Sequence, residues 1–514
     1  MTTESGRLMA VLVFPLLFAL TTPAVPAADA IPDSATIREK VRAAAGPLPQ
    51  VYRETDETVA SNGSATIEHD YVTAIGKRYT FDTGRFHTER GVSGTDVWHM
   101  NDNGQVIMDQ PDPGLATREQ TTTTVAAIST PVQGFVIATL NAQGHGTKEY
   151  VDGAAWRIVR RERITPNGLI TTTYDDVRAD HGRTFAHHLH VDDGYAHMTE
   201  DLRVTEYAPN DVTPAEVAIP NPRRALVEFP AGVSSVDLPV KFGRQHVYVR
   251  VTIAGRGLDF VLNSGAGGIT IDSTVARELN LPVFQQHSAV TAGRYTTART
   301  IVPEMRVGAL TMHDVAVQEV PQGWDTGEDV KEVGLLGFDF LAELGITIDY
   351  EHQRVTVVPG MSYAAPADPH TIGLDVRVGS GQPRTTVSVN GAIGERWILD
   401  TGGAGTFLIF DYFARRHPEA LRGQSASAGR GVRLKGIGGP IDTQPYQISS
   451  LRLANVNFQN FVGYRVVGNG SYAQNDDGII GTAFLRLFTL GFDYANNRVY
   501  LVPNSDGRRA MGIR

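Results

Sequence analysis

Two stretches of this chain repeat one another in four blocks that come in the same order, and this internal repeat limits the fold more than any other feature. In the first stretch a β-type run, Val247 to Ile253, leads to Phe260-Val261-Leu262 and the small-residue turn Asn263-Ser264-Gly265-Ala266-Gly267-Gly268. In the second, Thr385 to Val389 leads to Trp397-Ile398-Leu399 and then Asp400-Thr401-Gly402-Gly403-Ala404-Gly405. Each stretch continues with two apolar residues and a glycine, Leu335-Leu336-Gly337 and Ile479-Ile480-Gly481, followed by Phe340-Leu341 and Phe484-Leu485. Each closes in a hairpin of the same pattern: Ile348-Asp349-Tyr350, Arg354-Val355 and Val357-Val358-Pro359 against Phe492-Asp493-Tyr494, Arg498-Val499 and Leu501-Val502-Pro503. Four matched blocks in one order imply the duplication of one β lobe.

The remainder is read around that pair. A chain of 514 residues is too long for one core. With 41% hydrophobic and 20% charged residues it has the composition of a globular protein. A net charge of −10 without a basic run argues against nucleic acid as a partner, because phosphate binding needs clustered Lys and Arg. The absence of cysteine excludes disulfides, thiol catalysis and Cys-ligated zinc. At the N-terminus, Arg7 precedes an apolar run, Leu8 to Leu20, and then small residues around Ala28 and Ala30. Residues 1–30 therefore read as a secretory signal peptide, which predicts a periplasmic or secreted protein with no membrane span after its removal. Residues 32–45 read as a helix stopped by Gly46 and Pro47. From Val51 to about Tyr207, short runs rich in Val, Thr, Tyr and Ile alternate with turn signals such as Asn62-Gly63 and Asp193-Gly194, which predicts an antiparallel meander. This part resembles the curved half-barrel of periplasmic lipoprotein-carrier proteins, a resemblance that implies an apolar ligand. Proline-bearing stretches at 209–222 and 359–369 read as linkers. The expected organisation is an N-terminal β-rich unit at 31–210 and two β lobes, 225–360 and 371–505, in a mostly β chain.

The triplet Asp-Thr-Gly occurs at Asp82, Asp325 and Asp400, and only the last follows large apolar residues and precedes a small-residue loop. A catalytic carboxylate needs that context: the end of a buried strand, then a tight turn that glycine permits. Two such turns facing each other hold two carboxylates that share a proton and activate a water between them. On these residues, 245–360 and 372–505 resemble the retropepsin-like aspartic proteases, set in tandem as in the bilobal pepsin-like enzymes. The resemblance implies catalysis at Asp400, with Thr401 and Gly402 completing its loop. It also implies a peptide or protein substrate held as an added strand. Lys435-Gly436-Ile437-Gly438-Gly439 resembles the glycine-rich flap of retroviral proteases, making Gly436, Ile437, Gly438 and Gly439 the candidate substrate lid. The first lobe has a poorer counterpart around Thr291-Ala292-Gly293-Arg294-Tyr295.

The chain departs from that family at Asn263, with Ser264 and Gly265 completing the altered triplet. Asn cannot ionise, so it is neither a base nor a partner in proton sharing. Three functional classes follow: an aspartic-type endopeptidase using Asp400, a pseudoprotease that binds peptide, and an apolar-ligand carrier working through the N-terminal unit. In a homodimer, two second lobes could restore a pair of Asp400 carboxylates, and Asp259 or Asp272 are the nearest acids that could substitute. No cofactor is expected, since neither a phosphate-cradling loop nor a Gly-x-Ser-x-Gly elbow is present. No metal is expected either: on a strand His188 and His190 share a face while His187 opposes them, short of the converging ligands zinc requires.

Overall fold

The computed structural model describes residues 31–110, 120–165, 168–194, 199–222, 225–321, 328–405, 407–422, 431–467 and 475–513. The expected signal peptide and the Asp325 triplet lie outside these residues. The chain is mostly β.

Residues 52–209 form one antiparallel sheet of thirteen strands among the described residues. The chain enters at its centre with Tyr52–Ala60, meanders to one edge at Val106–Asp109, restarts at the far edge with Thr121–Ile128 and meanders back. Its last strand, Thr199–Pro209, pairs with its first. A helix, Ser34–Ala45, is capped by Asp33, whose carboxylate accepts from the Thr36 N–H, and it ends at Gly46, as its sequence predicts. The helix lays Ile37 and Val41 onto Ile137, Val151 and Phe135 of one face of this sheet. The Asp82 triplet ends the strand Gly76–Thr83 and leads through Gly84 and Arg85 into Phe86–Ser93, with Asp82 bound to His87.

Residues 236–503 form three further sheets. In the first lobe, Arg256–Leu262 runs parallel to Glu332–Leu336, and Thr270–Asp272 runs antiparallel to that strand on its other side. In the second lobe, Ala392–Leu399, Gly478–Ile480 and Phe407–Ile409 take the same places. The third sheet joins the lobes, because Leu344–Asp349 of the first pairs antiparallel with Phe488–Asp493 of the second. Thr347 lies opposite Gly491, each one residue before the matched Ile348 and Phe492. Equivalent positions that pair with each other mark a local twofold axis, so the two lobes face each other within one chain. One continuous buried cluster spans both lobes and the joining sheet and takes in Ile107 of the thirteen-stranded sheet.

The thirteen-stranded sheet docks on the first lobe. Asn101 and Asn103 donate to the Asp339 carboxylate at 2.8 and 3.0 Å, and Gln105 donates to the Glu343 carboxylate at 2.9 Å. Phe86 packs edge-on against Phe284.

Candidate active site

Each triplet begins where its strand ends. The Asn263 N–H donates to the Leu336 carbonyl and the Asp400 N–H to the Ile480 carbonyl, both at 3.0 Å, so each turn is pinned to the apolar-apolar-glycine strand beside it. The two turns are then latched to each other across the local axis. The Ser264 hydroxyl donates to the Leu399 carbonyl and the Thr401 hydroxyl to the Leu262 carbonyl, both at 2.7 Å. In return, each hydroxyl oxygen accepts the backbone N–H of the other residue at 3.0 Å. Both side chains are fully buried, so all four bonds form away from water, where leaving a donor or acceptor unpaired is expensive.

The latch sets Asn263 opposite Asp400. A Cβ on Gly265 would lie 2.3 Å from the Asp400 carboxyl carbon, and one on Gly402 would lie 2.2 Å from Asn263 Nδ2. No side chain fits at either position, and the two functional groups approach because glycine leaves the space. Within each turn the same bond recurs: the Gly265 N–H donates to Asn263 Oδ1 and the Gly402 N–H to Asp400 Oδ1, both at 2.8 Å. Asp400 keeps part of its surface open, yet the mass of both lobes desolvates its carboxyl. Desolvation pushes its pKa up to about 6, against the opposing effect of the Gly402, Gly403 and Gly265 N–H groups. Neither acid proposed as a substitute reaches the site: Asp272 caps the helix Ser273–Glu278, and Asp259 pairs with Arg250.

Residues that the sequence did not single out buttress both turns. His246 Nε2 lies 3.2 Å from the Gly402 carbonyl, and Gln382 Nε2 donates to the Gly265 carbonyl at 2.6 Å. Each sits just before the strand that pairs with the triplet strand of its own lobe, Val247–Ile253 or Arg384–Val389, and holds the third triplet residue of the other. A carbonyl only accepts, so His246 carries its proton on Nε2. Burial lowers the His246 pKa, opposed by Glu328, whose Oε1 is 3.7 Å from Nδ1. The matched hairpin residues Tyr350 and Tyr494 lie close enough to Asp400 to feel its charge, and their hydroxyls are buried without a partner among the described residues. Burial, with the Asp400 charge adding to it, raises both phenol pKa values.

The candidate flap is a hairpin in which Gly436 pairs with Gly439 across Ile437 and Gly438. Its positive φ of 87° makes Gly438 the residue that permits the turn. The tip crosses to the first lobe, where the Ile437 carbonyl accepts the Ala292 N–H at 3.1 Å and the Thr291 hydroxyl. The Ile437 side chain packs against the first-lobe cluster of Tyr248, Val261 and Leu335, on which Ala266 of the triplet loop also rests. The Thr291–Tyr295 segment is thus a real counterpart, meeting the flap tip to tip. A cavity of about 950 Å³ opens beside the flap, between Lys435, Gly439 and Pro440 and the first lobe's Arg277, Tyr295 and Glu319. Neither Asn263 nor Asp400 lines it.

The histidine run lies on the thirteen-stranded sheet, in the strand Arg183–Asp192. His188 and His190 both contact Asp201 Oδ1, at 3.0 and 3.1 Å, while His187 stacks on Phe185. No group of three or more His, Asp or Glu side chains is placed to hold a metal ion among the described residues.

A protein-family model described as aspartyl protease matches residues 249–340, the lobe that carries Asn263. No curated protein matches the chain. Among solved structures, an aspartic proteinase from Irpex lacteus aligns over 54% of this chain and 100% of its own, at 12% identity and a TM-score of 0.35. A LolA superfamily protein from Nitrosomonas europaea aligns over 36% of this chain and 97% of its own, at 13% identity and a TM-score of 0.28. The chain therefore carries an aspartyl protease-like domain at residues 249–340.

Proposed function

We propose that residues 236–503 form an exported peptide-binding cleft of the aspartic-protease type, in which Asp400 is the one ionisable group of the pair and hydrolysis is correspondingly slow. The observation that carries this reading is the reciprocal Ser264/Thr401 latch, which sets Asn263 opposite Asp400 inside a single chain. With the partner position filled within the chain, a dimeric pair of Asp400 side chains would require the lobes to separate.

The chemistry left to such a site is limited but balanced. The Asp400 carboxylate takes a proton from water as its oxygen bonds to the scissile carbonyl carbon. The same proton then passes from Asp400 to the leaving nitrogen as the C–N bond breaks, giving an acid and an amine. An Asp partner would also supply a proton to the carbonyl oxygen, whereas the Asn263 amide offers only a hydrogen bond. Losing that general acid removes a factor of roughly 10² to 10⁴. Extended peptide would lie under the flap as an added strand, after Ile437 releases Thr291 and Ala292.

The test is peptide binding and hydrolysis by the wild type beside Asp400→Ala, from acid to neutral pH. Peptide binding by both, with slow cleavage only by the wild type, supports the reading. Cleavage that survives Asp400→Ala sinks it. A second reading, a carrier of an amphiphilic ligand, is favoured by a cavity of about 560 Å³ under the first helix, floored by Ile137, Val151 and Ile158 and rimmed by Arg42 and Arg163.

A further inference from the structure

The thirteen-stranded sheet carries a second cluster of acids that the cleft does not use. Tyr52–Ala60 pairs with Ala65–Val72 in a register that sets Glu54 directly opposite Asp70 and Asp56 directly opposite Glu68. Directly opposed residues, and residues two apart along a strand, lie on the same face. The four carboxylates therefore form a two-by-two array. Opposed Cβ atoms in such an array are about 5 Å apart, and its two rows are about 7 Å apart. Like charges directly opposite each other destabilise a sheet, so two such pairs side by side are an arrangement that folding alone does not favour.

Two observations set this array apart from a solvated acidic face. Asp56 is only 8% exposed, and its Oδ1, like Asp70 Oδ1, has no hydrogen-bond partner among the described residues. Tyr207, which pairs with Glu54 on the strand's other side, is 4% exposed, and its hydroxyl is also unpartnered. Aromatic rings wall the same face, with Tyr52 5.9 Å from Tyr207 and Tyr207 5.0 Å from Phe185. The chain's own cations stop at the rim. Arg90 lies over the rings of Tyr79 and Phe81, with its guanidinium 4.0 Å from Glu68. Arg183 acts on Glu54 from the other side, together with His187. Two guanidiniums therefore face four carboxyl groups, of which Asp70 and Glu68 share a hydrogen bond, and the array balances its charge by holding protons. Because no three acids converge at metal-binding geometry among the described residues, the array does not suit a single metal ion.

We propose that this face binds a short linear diamine or polyamine, with one ammonium group held by the Glu54/Asp70 pair, the next by the Asp56/Glu68 pair, and the tyrosine rings flanking the alkyl chain. A four-carbon chain spaces two ammonium groups much as the two rows are spaced. The site is separate from the cleft and does not depend on the peptidase reading. Its protons report on occupancy. Desolvation and the neighbouring carboxylates push Asp56 up to about 7 and Asp70 up to about 8. Near neutral pH Asp70 is therefore largely and Asp56 partly protonated, and an ammonium group must displace those protons. Binding releases protons and strengthens as pH rises from about 6 to about 8.

The experiment is calorimetric titration of the full-length protein with putrescine and spermidine, with butylamine, Mg²⁺ and Ca²⁺ as comparison ligands. Putrescine is expected to bind at least tenfold more tightly than butylamine, with a heat that depends on the buffer's ionisation enthalpy. Asp56→Asn and Asp70→Asn should each weaken it at least tenfold. Both variants put a neutral amide of the same shape where a partly or largely protonated carboxyl stands and should melt no lower than the wild type, so lost binding is not lost folding. Glu54→Gln, at a half-exposed position, is the second check. The proposal is overturned by wild type that takes up neither amine at millimolar concentration, by variants that bind as well as wild type, by butylamine that equals putrescine, or by calcium that binds more tightly than either amine.

Discussion

Replacing Asn263 by Asp puts a second carboxyl where the latch already holds an isosteric side chain. Asn263 Oδ1 accepts the Gly265 N–H at 2.8 Å, and a carboxylate oxygen accepts the same bond. The other terminal atom faces the space beside Gly402 that no Cβ occupies, so the substitution brings no clash. The change is electrostatic. Asp400 alone already sits at about 6 through desolvation. A second carboxyl beside it cannot ionise at the same time, so the pair takes up one shared proton and titrates in two steps spread to either side of its members' single values. Substrate then finds a base and an acid together. Peptide hydrolysis should rise by roughly 10² to 10⁴, the usual contribution of a positioned general acid. The pH profile should change from one ionisation near Asp400's own value to a bell. The assay is steady-state cleavage of a fluorogenic peptide library by wild type, Asn263→Asp and the double variant Asn263→Asp/Asp400→Ala between about pH 3 and 8. If Asn263→Asp folds, binds peptide and yet cleaves no faster than wild type, the two turns do not form one proton-sharing site and the reasoning fails.

Further outcomes follow from the same geometry. Thr401→Ala deletes a hydroxyl that both donates to Leu262 and accepts from Ser264, leaving two buried backbone groups unpaired; chemical denaturation should show a loss of about 2–5 kcal/mol, and Thr401→Ser much less. His246→Ala should lower the stability of the paired lobes by about 1–2 kcal/mol, whereas His246→Gln, which copies what Gln382 does for the other turn, should recover most of it in the same assay. Asp400 at about 6 lies above its ordinary 3.8, so the folded state holds the proton more tightly and stability is lost as pH rises through that window; between pH 4 and 7 the wild type should lose about 2 kcal/mol more unfolding stability than Asp400→Asn. Gly438→Ala places a Cβ 2.2 Å from the Gly293 carbonyl at a φ of 87°, and should speed amide exchange at Ala292 without lowering the melting temperature by more than a few degrees.

Much of the lobe architecture could be read from the chain. The runs before Asn263 and Asp400 are strands, the apolar-apolar-glycine blocks are the parallel strands beside them, and Gly436 to Gly439 form a hairpin tip. These features were legible because each is written locally, in apolar runs, small residues and glycine. His246 and Gln382 were not legible, since nothing near either one marks a side chain whose partner is a carbonyl more than a hundred positions away. The N-terminal sheet shows the same limit. Glu54, Asp56, Glu68 and Asp70 look like the polar side of a solvated meander, and their alternation with other residues is ordinary for a strand. Only the register between the two strands brings like charges face to face.

What the sequence determined by itself is the pair of β stretches and the identity of the two triplets, because the matched blocks stand in the same order in both. It also settled that one triplet lacks an ionisable side chain. What the tertiary structure decided is which groups meet. Asn263 faces Asp400, rather than a second Asp400 from another copy, because Thr347 pairs with Gly491 in the joining sheet and Ser264 and Thr401 exchange hydrogen bonds across the same axis. Strand pairing between distant segments depends on the summed fit of two buried faces and their backbone groups. No short stretch of sequence contains that sum, so the chemistry of this cleft is spelled in the chain and assembled only by the fold.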